Sequence, residues 1–361
     1  MHQLRVLCLR RATPATRPSS VLLLSAHRTP PAKAQTRTFV STFPKNAQSA
    51  TCTSNRLSGR TCMITGGSSG IGYAIAERFL REGASRVILV GRSFDRLAAA
   101  ADTLLETSTL TAGEDSSTDD VATRAPEEDR QLGSRYTPPA EPLSPGSLIE
   151  SSERLHLLVG DVSDAGSWDR ELEKAMQPVD ILINAAGISN SNILPRTEPS
   201  DISQVFRTNL EGALLTSRAL VRASIRSRVK TRSAATPSTD ARPPSKCIIN
   251  VSSLLALKAG TGAVPYAASK AGVLGLTRSL AVETAESLKG VFIRSNVIVP
   301  GYIETPMIAD FTDNQTSKLK DSIPLRRFGR PDEVADAAVF LAQNEYANNC
   351  VLNLDGGLSA V

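Results

Sequence analysis

The chain has 361 residues, enough for one large domain or two small ones, and no uninterrupted apolar run long enough to span a bilayer. Its formal charge of +5, from 41 Lys and Arg against 36 Asp and Glu, first suggests a nucleic-acid partner. Residues 1–60 hold ten of those cations and no acid, which leaves 31 against 36 for the rest, so the body is mildly acidic and the excess belongs to the leader.

That leader, residues 1–55, is rich in Arg, Ser, Thr and Ala, the composition of a mitochondrial transit peptide, and TRTFVST resembles a matrix-processing site. The apolar runs are too short and too interrupted by Arg for a secretory signal; a disordered tail stays open as the alternative. Import with cleavage would also remove the basic segment that could bind nucleic acid. Five cysteines (Cys8, Cys52, Cys62, Cys247, Cys350) show no CxxC pairing, and three histidines (His2, His27, His156) are scattered. The pattern implies a reduced compartment and no metal.

From residue 56 onward, β-branched runs alternate with helical patterns. RTCMIT (60–65) reads as a strand, Ile71 to Leu80 as a helix and RVILVG (86–91) as a second strand. LHLLVG (155–160), DILIN (180–184), CIINVSS (247–253), FIRSNVIVP (292–300) and VLNLD (351–355) read as five more. Strands apolar on both faces and alternating with helices predict an α/β fold: one doubly wound Rossmann domain with a parallel sheet of about seven strands and helices on both faces. Residues 107–152 and 229–245 are rich in Pro, Ser and Thr, one acidic and one basic, and read as polar surface insertions without helix or strand.

Between the first strand and the first helix stands TGGSSGIG, residues 65–72. Gly66, Gly70 and Gly72 permit a tight turn, close approach of a pyrophosphate and close helix packing, while the helix N-terminus faces the phosphates. Alone the turn could be an ordinary loop; at the head of an α/β pattern it predicts a dinucleotide site. The second strand ends in VGRS, with Arg92 where an NAD site would offer an acid; a guanidinium there pairs with a 2′-phosphate and predicts NADP(H). A solvated arginine is the bland alternative. Further on, VPYAASKAG (264–272) sets Tyr266 one helical turn before Lys270, close enough for the ammonium to pull the phenol pKa down. In isolation, such a pair is most simply a surface Tyr and Lys.

Together these residues resemble the short-chain dehydrogenase/reductase family, from about residue 58 to 361 outside the two insertions. The turn residues Thr65, Gly66, Ser68, Ser69, Gly70, Ile71 and Gly72 match the family's TGxxxGxG, and Asp161-Val162 its adenine-contacting pair. Asn184-Ala185-Ala186-Gly187 is similar to its NNAG element, with Ala in the second place, and Pro300, Gly301, Ile303 and Thr305 fall in the segment that positions the nicotinamide. Asn209, Ser253, Tyr266 and Lys270 resemble its catalytic tetrad.

The resemblance implies that Tyr266 protonates the nascent alkoxide, that Lys270 lowers its pKa and holds the nicotinamide ribose, that Ser253 binds the substrate oxygen, and that Asn209 supports a water chain resupplying the proton. Ser252 is expected to be structural. The C-terminal third, with PGYIETPM and VLNLDGG, is most similar to 3-oxoacyl-[acyl-carrier-protein] reductases, implying an acyl thioester on acyl-carrier protein as substrate and a homotetramer. Lys289 or Arg326-Arg327 could dock the acidic carrier, or could simply be solvated. The apolar face around Val273, Leu276 and Leu280 fits a subunit contact or packing on the sheet. Asn349 stands where relatives usually have Gly and is expected to take its left-handed turn. Another carbonyl or alcohol substrate (a small ketone, a steroid, a sugar alcohol) and a non-catalytic NADP-sensing scaffold remain the rival readings.

Overall fold

The computed structural model describes residues 55–110, 143–234, 244–288, 290–309 and 311–361. The chain separates after Thr51 into two units, and the second, Cys52–Val361, carries every described element. The expected leader and its cleavage site lie outside the described residues. So do 111–142 and 235–243, the larger parts of the two polar segments.

Each apolar run of the sequence is a strand. β1 (Thr61–Thr65), β2 (Arg86–Gly91), β4 (Leu155–Val159), β5 (Ile181–Asn184), β6 (Lys246–Val251), β7 (Ile293–Pro300) and β8 (Val351–Leu354) pair in parallel, in the order β4-β2-β1-β5-β6-β7-β8. The period of two along each strand sends alternate residues to opposite faces. Cys62, Ile64, Val87, Leu89, Ile181 and Ile183 pack under α1 (Gly70–Arg81), α2 (Phe94–Leu110) and α8 (Pro331–Gln343). Met63, Ile88, Val90, Leu182 and Ile248 pack under α3 (Asp169–Met176) and α5 (Gly212–Ala234). The helix α6 (Val264–Ser287) joins that second layer, with Val273 against Val297 and Val299 and Leu280 on the neighbouring cluster. Val273 and Leu280, two of the three residues of the apolar stripe on α6, are thus occupied by packing on the sheet.

The sheet has eight strands among the described residues, not seven. β3 (Ser147–Glu150) lies inside the segment read as unstructured and pairs antiparallel with β4, from Ser147 opposite Val159 to Glu150 opposite His156. Gly146, at φ +90, makes the reversal before it, and Ile149 packs on the core. Four residues are too short a signal to stand out against their polar surroundings. Likewise α2 runs on to Leu110 and α5 to Ala234, so helix extends into both polar segments. The second segment ends anchored: Ser245 Oγ accepts from Arg294 Nε at 2.7 Å, and its amide donates to Glu345 at 3.1 Å. Asn349 has φ +59, the left-handed turn expected of it; Arg326, at φ +56, shares that conformation without any sequence signal.

The chain leaves β1 toward β2 and β4, then returns to the other side of β1 with β5. Loops at the C-terminal ends of β1 and β5 therefore diverge and open a crevice, the position at which doubly wound sheets bind ligands. A buried polar chain braces it from beneath. Thr216 on α5 donates to Asn184 Oδ1 at 2.8 Å, Asn184 Nδ2 to Asn250 Oδ1 at 2.8 Å, and Asn250 Nδ2 to Thr277 on α6 at 2.9 Å. Asn250→Ala removes the centre of this chain and leaves buried polar groups unpaired. It is expected to cost about 2–4 kcal/mol in denaturant unfolding. An unchanged midpoint would mean that the network contributes nothing to the fold.

Candidate active site

Three of the expected elements meet at the crevice. The turn after β1 begins with Gly66 at φ +69, where a Cβ would stand 2.8 Å from Ala186 Cα. The turn therefore lies directly against the Asn184–Gly187 segment after β5. Thr65 stitches the two together, its hydroxyl accepting from the Ala186 amide at 3.2 Å. A Cβ on Gly72 would fall 2.4 Å from the Gly66 carbonyl oxygen, so only glycine lets α1 start this close to the turn. At Gly70 a Cβ would meet Thr305 at 3.3 Å, which places the segment after β7 at the same mouth. Ser69, at the start of α1, makes no side-chain capping bond, so the first amides of the helix are not satisfied by that side chain. This bare, glycine-lined helix start fits a pyrophosphate.

The rim beyond β2 carries the charges. Arg92 is exposed, with Nη1 3.9 Å from Asp161, whose other carboxylate oxygen accepts from Ser163 N at 2.9 Å. Val162 is buried beside it. Arg96, four residues after Arg92, donates to the Ser69 hydroxyl at 3.4 Å and brings a second guanidinium to the glycine turn. Its i+4 spacing from Arg92 at a helix start was the available signal for it. The Asn184 side chain joins the buried network and so positions the loop that follows it.

On the other wall stand the four residues resembling a tetrad. Asn209 lies in a wide turn, Arg207–Glu211, closed by Gly212 N to Arg207 O across five residues. Such turns insert one extra residue in a helix and recur at functional sites. Its carboxamide is fully oriented: Oδ1 accepts from Ile188 N at 2.8 Å, while Nδ2 donates to Ile188 O at 2.9 Å and to Ser269 Oγ at 3.0 Å. Ser253, just past β6, accepts from Leu255 N at 3.2 Å and hydrogen-bonds with Tyr266. Ser252 donates to Lys270 O at 2.8 Å and is buried, the structural part expected of it. Gly187 faces both walls, for a Cβ there would come 3.2 Å from Lys270 Nζ and 3.4 Å from Asn209 Oδ1.

The electrostatics differ from the expectation in one respect. The Lys270 ammonium donates to the Val251 carbonyl at 2.9 Å and lies 5.8 Å from the centre of the Tyr266 ring, rather than pairing with the phenol oxygen. Burial pushes the Tyr266 phenol up, and the hydrogen bond with Ser253 offsets this in part; no lowering by Lys270 enters. Burial pushes Lys270 itself down, from 10.5 to about 8. Helical spacing shows that the two side chains are neighbours, but not that both are withdrawn from water, and desolvation disfavours both charged forms. The phenol is therefore a held proton, suited to donation.

No cluster of metal-ligating side chains occurs among the described residues, and no helix there is long and apolar enough to cross a membrane. The three described cysteines are free thiols.

A glycine-lined turn at the switch point of a parallel sheet, facing a Tyr–Lys helix, defines a dinucleotide-dependent oxidoreductase class. Residues 60–128 match the family described as short chain dehydrogenase, and residues 112–359 that described as Enoyl-(Acyl carrier protein) reductase. The chain belongs to the short-chain dehydrogenase/reductase family and is an oxidoreductase using a nicotinamide cofactor. It is 32% identical over 299 residues to the 3-oxoacyl-[acyl-carrier-protein] reductase of Mus musculus, covering 83% of this chain and 98% of that one. With the enzyme of that name from Thermotoga maritima it shares 32% identity over 312 residues, 84% of this chain and 99% of the other. Among solved structures, an NAD(P)-dependent gluconate 5-dehydrogenase from Beutenbergia cavernae with bound NADP superposes with a TM-score of 0.63 at 27% identity. That match covers 86% of this chain and 99% of the other.

Proposed function

We propose that the chain reduces a 3-oxoacyl thioester carried on acyl-carrier protein to the 3-hydroxyacyl form with NADPH, in fatty acid synthesis. Gly66, Ser68, Ser69, Gly70, Ile71 and Gly72 would hold the pyrophosphate, with Thr65 fixing the turn. Asp161 and Val162 would hold the adenine, and Ala185, Ala186, Gly187, Pro300, Gly301, Ile303 and Thr305 the nicotinamide end. The bound cofactor supplies a hydride to the carbonyl carbon. Ser253 donates a hydrogen bond to the carbonyl oxygen as charge grows on it, and Tyr266 gives that oxygen its proton. Lys270, with N–H donors beyond the one on Val251, holds the ribose, and the water chain that Asn209 supports resupplies the proton to Tyr266 through Lys270.

The substrate class rests on one observation, the apolar mouth. Ile193 and Leu194 after β5, Leu257 and Val264 around the Ser253 loop, and Met307 after Thr305 are large apolar side chains left exposed. Asn192 N donates to Gly262 O at 3.0 Å, and Leu254 shares a cluster with Ile308, so these loops form one rim. Of the cations near this rim, Lys258 donates its ammonium to the carbonyls of Leu358 and Val361, and Arg196 stands at the far end of the turn Leu194–Arg196. A contiguous apolar rim favours an acyl chain over a polar sugar acid.

Arg92 carries the NADP reading. Arg92→Asp is expected to shift the NADPH:NADH ratio of dissociation constants by about 10- to 100-fold toward NADH. An unchanged ratio would remove Arg92 from the 2′-phosphate. Of the cations considered for docking the carrier, Lys289 lies outside the described residues and Arg327 is paired with Glu333 at 2.6 and 2.8 Å. Arg326 is exposed, donates to the Asp321 backbone carbonyl with that residue's carboxylate 4.0 Å away, and is the better candidate. The basic leader supports a mitochondrial location and the family resemblance a homotetramer.

The reading is tested by NADPH oxidation with acetoacetyl-carrier protein, acetoacetyl-CoA and a 5-keto sugar acid. Turnover fastest on the carrier supports it. Turnover on the sugar acid alone would transfer the site to the gluconate-type reaction.

A further inference from the structure

We propose that Ser269 is a positioning residue of this site, holding Asn209 and the Gly187–Ile188 loop in register with Lys270. Serine is a middling helix former and a buried hydroxyl is costly unless bonded, yet Ser269 is fully buried within α6, between Tyr266 and Lys270. Both of its polar functions are occupied. Its hydroxyl donates to the Tyr266 carbonyl at 2.7 Å and accepts from Asn209 Nδ2 at 3.0 Å. One turn further on the same face, a Cβ on Gly272 would come 2.7 Å from Leu210 Cδ2, so glycine there lets the wide turn sit directly on α6.

These contacts close a ring. From the catalytic helix, Ser269 fixes Asn209; Asn209 grips both the amide and the carbonyl of Ile188; and Gly187, next in the chain, lies against Lys270 Nζ. Both N–H groups of the Asn209 carboxamide are thereby in use, so its side chain serves to hold the loop. Ser269→Ala opens the ring at the one link that joins it to α6 by a side-chain hydrogen bond. The distance between the loop and Lys270 is then free to drift, and displacements of this kind are costly to catalysis while binding is little affected.

This inference rests on the roles given above to Tyr266 and Lys270. The test is a double-mutant cycle in the full chain with Ser269→Ala, Asn209→Ala and the pair, read as kcat, KM and the pH profile of kcat, with NADPH affinity by fluorescence. Ser269→Ala is expected to lower kcat by about 10- to 100-fold at nearly unchanged KM and NADPH affinity and to displace the pH profile. The pair should be no slower than Asn209→Ala alone. Ser269→Thr, which keeps the hydroxyl, should recover part of the rate. Should the alanine variant fail to fold, Ser269→Cys, which keeps the volume but is a much weaker hydrogen-bonding group, replaces it in the cycle. Losses that multiply, or a kcat within twofold of wild type, would overturn the proposal. Should the wild type ignore acetoacetyl-carrier protein, the substrate reading fails, and the cycle is run on the carbonyl it does reduce.

Discussion

Tyr266→Phe is expected to lower kcat by about 10²- to 10⁴-fold while leaving NADPH bound with nearly its original affinity. Phe keeps the ring that packs beneath Lys270 and deletes only the hydroxyl that hydrogen-bonds with Ser253. Since burial holds that phenol protonated, the lost group is the proton donor itself. Rapid-quench turnover beside fluorescence titration separates the two effects. A variant that keeps its rate would remove Tyr266 from the proton transfer.

Lys270→Met is expected to abolish turnover while making the cofactor-free protein relatively more stable at neutral pH. Burial alone pushes this ammonium from 10.5 to about 8. Because the folded value lies below the unfolded one, the unfolded chain binds more protons between pH 8 and 10.5, and wild-type stability rises with pH across that window. Below about pH 8 the cost of the buried charge is present in full. Methionine removes this pH-dependent cost at the price of the bond to Val251 O, a loss that does not depend on pH. The stability of the variant relative to wild type should thus be most favourable near pH 7 and decline by about 3 kcal/mol by pH 10.5. Denaturant unfolding at several pH values gives the difference. A flat difference would mean that Lys270 keeps its charge at no cost.

The parallel sheet was legible because its strands are apolar on both faces, and the crevice because glycine at 66, 70 and 72 is a local requirement of backbone geometry. Asn349 was legible for the same reason. β3 escaped notice because SLIE is four residues long inside a polar stretch. The wide turn at Asn209 has no side-chain signature, since a helix with one inserted residue keeps its composition. Sequence order cannot show that Asn250 and Thr216 meet the Asn184 side chain beneath the sheet. Tyr266 and Lys270 were found as a pair, yet the direction of the tyrosine shift was missed: spacing gives proximity, and only the fold gives depth. Ser269 has no sequence signal of its own, because its partner Asn209 lies sixty residues away.

The most direct measurement is a single turnover of acetoacetyl-carrier protein with NADPH carrying deuterium at the transferred position, read by mass spectrometry of the product. The expected result, within the time of one wild-type turnover, is deuterium at carbon 3 of the hydroxyacyl product with wild type, and none above background with Tyr266→Phe still holding the labelled cofactor. Unlabelled product from wild type, or full transfer by Tyr266→Phe, would contradict a ketoreductase driven by Tyr266.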